Sequence, residues 1–137
     1  MTKGISETAL LVSESEVKKA VEDRLQFAQN QGQLIFLRLN SGDFIEVRGD
    51  TRRRIKGCPA GTADYVVFQG VKHELCFGVT PFDRCKPLPA CRVTFIECKS
   101  SKGKQSPEQK TFEEEVKKQN CRYFLVRDVD ILEEILK

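Results

Sequence analysis

Asp64, Glu97 and Lys99 are residues whose types and placement could do chemistry together. Asp64 stands at the start of the apolar run "TADYVVFQ", and Glu97 and Lys99 stand at the end of "RVTFIECKS". Strand side chains alternate between faces, so Glu97 and Lys99, two apart, point the same way. If the two runs are neighbouring strands, two carboxylates and one ammonium converge. Paired carboxylates repel unless a cation lies between them, and a hard divalent cation such as Mg2+ prefers oxygen ligands. A cation held by few protein groups keeps positions open for water and phosphate oxygens. It acidifies the water and offsets charge on a phosphorus under attack. Lys99 is placed to orient that water or to stabilise the charged transition state. The bare Glu-x-Lys spacing also fits an exposed ion pair on an edge strand, which contributes little.

Periodicity outlines the elements that must position these residues. "SESEVKKAVEDRLQFAQNQG" predicts a first helix. Ser13 or Ser15 can cap it, Val17, Val21, Leu25 and Ala28 recur at helical spacing, and Gly32 ends it. "QLIFLRLNSGD" reads as a strand entering a turn at Asn40-Ser41-Gly42, and "FIEVR" as a second short strand. "GDTRRRIKGCPAG" reads as a loop punctuated by Gly57, Pro59 and Gly61. The strand with Asp64 at its beginning follows, then a Pro- and Gly-rich insert at about 70–92, a connection or an irregular hairpin, then the strand that carries Glu97. "SPEQKTFEEEVKKQN" predicts a helix capped by Ser106 with Pro107 at its first position. "CRYFLVRD" reads as a strand and "VDILEEILK" as a closing helix. The order predicts an α/β fold, a mixed central sheet flanked by helices, in one domain over 1–137.

The 137 residues suffice for one core, and 31% charged with 39% hydrophobic is ordinary for a soluble domain. No apolar run approaches ~18 residues, so no membrane partner is expected. The N-terminal stretch lacks a secretory apolar region, which reads as an intracellular protein. The six cysteines lack tight paired spacing and read as thiols in a reducing compartment. His73, Cys76, Cys85 and Cys91 share one segment, and His-x2-Cys is compatible with a zinc ligand pair, although the spacing to Cys85 and Cys91 is long and uneven. His73 is the single histidine, and no spacing supports a Ser-His-Asp or Cys-His arrangement. No phosphate-binding glycine loop of the nucleotide-binding kinds is present, so no nucleotide cofactor is expected.

Taken in order, "GCPAGTADYVVF", "FIECKS", a glycine turn and "SPEQKTF" resemble the PD-(D/E)xK nucleases, and within them the VRR-NUC branch, the virus-type replication-repair nucleases. The resemblance runs from about Glu14 to Phe124. It implies a restriction-endonuclease-like sheet and a Mg2+- or Mn2+-dependent DNA endonuclease. The family's Gly-x-Pro-Asp turn, which brings a metal-binding aspartate, reads here as Gly61-Thr62-Ala63-Asp64. Alanine at the proline position touches the rigidity of the turn and not the ligand. Glu97-Cys98-Lys99 matches the Glu-x-Lys signature, with Cys98 offering the metal only its backbone carbonyl. Gln109 matches the early helix glutamine, which would hold the attacking water or a phosphate. "RLNSG", Arg38 to Gly42, is similar to the stretch that precedes the catalytic turn. Members also carry an acid on the first helix that completes the metal site. Glu16 is the first choice, Glu14 its close rival, and Glu22 stands behind both.

The basic runs then acquire a role. Arg52, Arg53 and Arg54 precede Asp64, and Lys102 and Lys104 follow Glu97, so both would open on the metal's edge and contact phosphates. Without a nucleic-acid-reading aromatic stripe or a helix-turn-helix, recognition by DNA shape or branching is expected rather than by base sequence. Small stand-alone members resemble junction-resolving enzymes, which implies a homodimer acting on Holliday junctions or other branched DNA. A compact nuclease of this kind would suit a phage or mobile element. Two rivals remain: a nucleic-acid-binding domain with little catalysis, and a zinc-stabilised interaction module.

Overall fold

The computed structural model describes residues 11–75 and 86–137. Helix α1 spans Glu14–Asn30 and buries Val17, Val21, Leu25 and Ala28, the stripe expected from their spacing. Ser13 caps it with a reciprocal capping box to Glu16. Gly32, at φ +73°, turns the chain out of the helix, and Gln33 N donates to Ala28 O at 3.0 Å.

Among the described residues six strands follow: β1 (Ile35–Arg38), β2 (Asp43–Arg48), β3 (Thr51–Lys56), β4 (Tyr65–Leu75), β5 (Lys86–Cys98) and β6 (Arg122–Val126). Helix α2 (Pro107–Lys118) joins β5 to β6, and a 3-10 turn (Val129–Ile131) leads into the short α3 (Leu132–Ile135). The main sheet has the order β1-β4-β5-β6. β1, β4 and β5 pair antiparallel, and β5 and β6 pair parallel. The fold is therefore mixed α/β with a mixed central sheet flanked by helices.

Alternation along β5 splits the core between two faces. Ile96 and Cys98 face α1 and α3, in a cluster with Tyr65, Val67, Leu25, Leu132 and Ile135. Phe95 packs on the other face against Phe112, Val116 and Tyr123, together with Ala63. Phe95 and Phe112 meet edge to face at 5.3 Å. Among the described residues no helix is long and apolar enough to cross a membrane.

Two expectations are corrected. Residues 51–56 form strand β3 rather than a loop, paired with β2 from Asp43↔Lys56 to Arg48↔Thr51. This ribbon stands outside the main sheet and its β3 residues are exposed throughout, so no buried face imposes alternation on "TRRRIK". The signal lay in the two-residue loop Gly49-Asp50, with Gly49 at φ +58°. The stretch at about 70–92 is a hairpin, one of the two alternatives, but where it is described its pairing is regular rather than irregular. β4 and β5 continue their ladder through Gly70↔Cys91 to Leu75↔Lys86. Among the described residues β6 pairs with β5 over Thr94–Cys98 and no strand pairs with the outer edge of the earlier part of β5, which is where a strand proline such as Pro89 is accommodated.

Candidate metal centre

The C-terminal end of β5 lies beside the start of β4. Tyr65 pairs with Ile96, so the next position along the ladder sets Asp64 against Glu97. Asp64 N donates to Ile96 O at 3.0 Å, and Asp64 O accepts from Leu39 N at 2.8 Å. Its carboxylate is fixed as well, because Oδ2 accepts from Cys98 N at 2.8 Å.

The turn before Asp64 requires glycine for two reasons. Gly61 adopts φ +88°, and a Cβ there would lie 2.5 Å from the backbone of Glu108. The close approach sets the first turn of α2 against the turn that leads into β4. Gln109 is the third residue of that helix. Its Oε1 accepts from Ser106 N at 2.8 Å, closing the cap, and its Nε2 donates to Glu97 Oε1 at 2.8 Å.

Glu97 is 2% exposed. Its Oε1 also lies 3.6 Å from Lys99 Nζ. Its Oε2 is buried with no hydrogen-bond partner. Burial, then repulsion by Asp64, pushes the carboxyl up to about 7 against the pull of Lys99 and Lys18.

The first-helix acid that the fold brings to Asp64 and Glu97 is Glu14, and not Glu16, the first choice of the two. Oxygens of Glu14, Asp64 and Glu97 all lie within 4.8 Å of one another. Glu16 instead folds back on the helix cap, where Oε2 accepts from Ser13 N and Ser13 Oγ, each at 2.8 Å. Those bonds, the backbone one first, hold its carboxyl below the usual range. Residues two apart on a helix do not share a face, so both acids cannot serve the site. Glu22, on the same helical stripe, accepts the Tyr65 hydroxyl at 2.9 Å and lies 3.7 Å from Arg38 Nη1.

Lys18 was missing from the sequence reading. Its Nζ lies 3.3 Å from Asp64 Oδ1 and 4.0 Å from Glu14 Oε1. Burial lowers its pKa, but Asp64, Glu14 and Glu97 outweigh that and leave it raised, so it stays charged. Its signal was its place four residues after Glu14. Lys99 Nζ reaches Glu14 Oε1 at 3.7 Å.

Other expected residues lie further out. The Cys98 side chain is buried in the α1-facing core, opposite Glu97, and burial with Asp64 and Glu97 pushes its thiol up to about 12. Only its backbone stays at the centre. Arg38 borders an open cleft with Lys18 and Asp64. Lys102 and Lys104 are exposed in the turn after β5. Arg127, also unforeseen, pins that turn by donating to Ser100 O at 2.7 Å and Gly103 O at 2.6 Å. Arg52, Arg53 and Arg54 lie on the β2–β3 ribbon, and Arg54 pairs with Asp43.

For the zinc reading, Cys76 and Cys85 lie outside the described residues, as does the side chain of His73, and Cys91 is exposed on β5. Among the described residues, the grouping that could hold a metal consists of carboxylates.

No family model, curated protein or solved structure matches the chain.

Proposed function

We propose that this chain is a metal-dependent DNA endonuclease of the PD-(D/E)xK type, nearest the VRR-NUC branch, with a restriction-endonuclease-like sheet. The observation that carries this reading is the convergence of Glu14, Asp64 and Glu97 with a buried, unpartnered Glu97 Oε2. A buried carboxylate oxygen without a donor is costly, and a hard cation such as Mg2+ or Mn2+ fits an all-oxygen donor set. When bound, such a cation supplies Lewis acidity for phosphodiester hydrolysis.

The chain's own groups supply the rest. Gln109 and Cys98 N orient Glu97 and Asp64 through the bonds already described. Lys99, 13% exposed, lies between Glu14 and Glu97 and presents positive charge where a phosphoryl oxygen would gain negative charge. Lys18 offers a second ammonium on the Asp64 side. Arg38, Arg52, Arg53, Lys102 and Lys104 offer phosphate contacts that position DNA without reading its sequence. Branched DNA is the favoured substrate, and a homodimer would pair two cuts across a twofold axis.

The test is cleavage of a branched DNA in Mg2+ or Mn2+ by wild type, Asp64→Ala and Lys99→Ala. Wild type is expected to cut and both variants to lose cutting. Cutting that survives both changes contradicts the proposal.

One observation favours a rival. Lys18 and Lys99 already pair with the three acids, as they would in a binding domain that has no catalysis. That rival expects DNA binding unaffected by EDTA and no nicking in any divalent metal.

A further inference from the structure

We infer that the cleft on the Asp64 side of the acid cluster seats one unpaired nucleotide, its base stacked on Phe44 and its phosphate held by Lys18 and Arg38. This deepens the nuclease reading and rests on it for the class of ligand. The cleft is lined by Lys18, Arg38, Asn40, Ser41, Phe44 and Asp64, with Leu39 and Tyr65 completing its wall. Its volume is about 230 Å3. That is below the roughly 300 Å3 at which pockets for drug-sized ligands begin, so one planar ring suits it better than a bulky cofactor.

Phe44 is 44% exposed in a cleft otherwise walled largely by charge and amide. An aromatic face beside two cations is the chemistry of nucleotide binding: every base has a π face, and Lys and Arg meet the backbone phosphate. Asn40 and Ser41 add donors and acceptors for a base edge.

The wall is fixed in place. Gly57 N donates to Gly42 O at 2.8 Å, Cys58 N to Asn40 O at 2.7 Å, and Gly42 N to Cys58 O at 3.1 Å. A Cβ at Gly57 would lie 2.8 Å from Phe44 Cε2 and 2.5 Å from Gly42 O. Glycine therefore lets the Phe44 ring lie against the backbone. The Tyr65 hydroxyl is committed to Glu22, so it closes the cleft and does not compete for the ligand.

The consequence is a substrate preference. A base must leave its stack to reach Phe44, and that costs least where the nucleotide is already unpaired. Flaps, gaps and branch points should bind better than intact duplex, with the unpaired residue next to the cut.

The experiment measures Kd by fluorescence anisotropy in low-salt buffer with EDTA, for a branched DNA with unpaired nucleotides and for a fully paired duplex of equal length. Wild type, Phe44→Ala, Phe44→Leu and Phe44→Trp are compared, with thermal melts to check folding. Phe44→Leu keeps apolar contact over Gly57 and removes the π face. Phe44→Ala and Phe44→Leu are expected to weaken binding of the branched DNA by about 5–150-fold, the range for loss of one stacked base. Duplex binding should stay within about twofold, and Phe44→Trp should keep the preference. A folded Phe44→Leu that binds both DNAs like wild type, or a wild type without preference, overturns the inference. The same holds if both DNAs weaken equally. If Asp64→Ala and Lys99→Ala both still cut, the nuclease reading fails while the stacking result stands. If Asp64→Ala is dead but Phe44→Leu binds like wild type, only the nucleotide seat fails.

Discussion

The side-chain amide of Gln109 bridges the cap of α2 and the buried acid of β5: its oxygen accepts from Ser106 N and its nitrogen donates to Glu97 Oε1, each at 2.8 Å. One residue thus fixes both the start of a helix and the rotamer of the least exposed acid in the cluster. Gln109 was expected to hold water or phosphate. Both ends of its amide are engaged by protein groups, which under the proposed nuclease reading makes it a positioning residue for Glu97.

Gln109→Ala should therefore reduce Mn2+ affinity and cleavage by about 10–100-fold, the usual effect of removing a group that orients a metal ligand. It should also lose about 1 kcal/mol of cap stability. Calorimetric Mn2+ titration with a denaturant melt separates the two effects. Wild-type Mn2+ affinity in a folded Gln109→Ala would argue against the positioning role.

The Glu97 carboxyl gives the metal-free protein a defined pH dependence. Its pKa rises from the ordinary 4.5 in the unfolded chain to about 7 in the fold. Between those values the folded state holds a proton that the unfolded state releases, so stability falls as pH rises through that window. The full move corresponds to about 3 kcal/mol lost by about pH 8. Urea melts in EDTA from pH 4.5 to 8 should show this decline, and Glu97→Gln should remove most of it. A divalent cation should offset it at pH 8. An identical slope in Glu97→Gln would place the titration elsewhere.

Glu14 and Glu16 should separate cleanly. Glu14→Gln removes a cluster oxygen and should lower Mn2+ affinity and cleavage by at least about tenfold, with the fold retained. Glu16→Gln should leave both within about twofold and cost at most about 1 kcal/mol through the cap. The reverse result would restore Glu16, the first choice that the family resemblance suggested.

Gly61→Ala tests how the turn couples to the site. An alanine there must hold φ +88° and places its Cβ 2.5 Å from the Glu108 backbone. A loss of about 2–4 kcal/mol is expected, together with weaker Mn2+ binding as α2 and Gln109 move. A variant with wild-type melting and affinity would show that the turn tolerates the side chain.

Much of this site was legible because it depends on strand ends and alternation. Asp64 opens one apolar strand and Glu97 closes another, and the ladder registers them together. The α1 stripe was equally plain, since Val17, Val21, Leu25 and Ala28 can all be buried only on a helix. What escaped reading depends on local competition. Glu16 follows Ser13 by three, the capping-box spacing, and the helix end claims its carboxylate before any metal can. Lys18 becomes visible only once Glu14 is chosen, because it is defined by its place one turn on. The arginines of β3 lie on a ribbon with no buried face, so hydrophobicity left no trace there and only Gly49-Asp50 marked it.

The most direct test is anomalous diffraction from a crystal of the protein soaked in Mn2+. A single strong peak is expected with oxygens of Glu14, Asp64 and Glu97 roughly 2.0–2.2 Å away, the range for a small divalent cation. A peak at Glu16, or at His73 and the neighbouring cysteines, with none at the three carboxylates, would contradict the metal centre and the nuclease reading built on it.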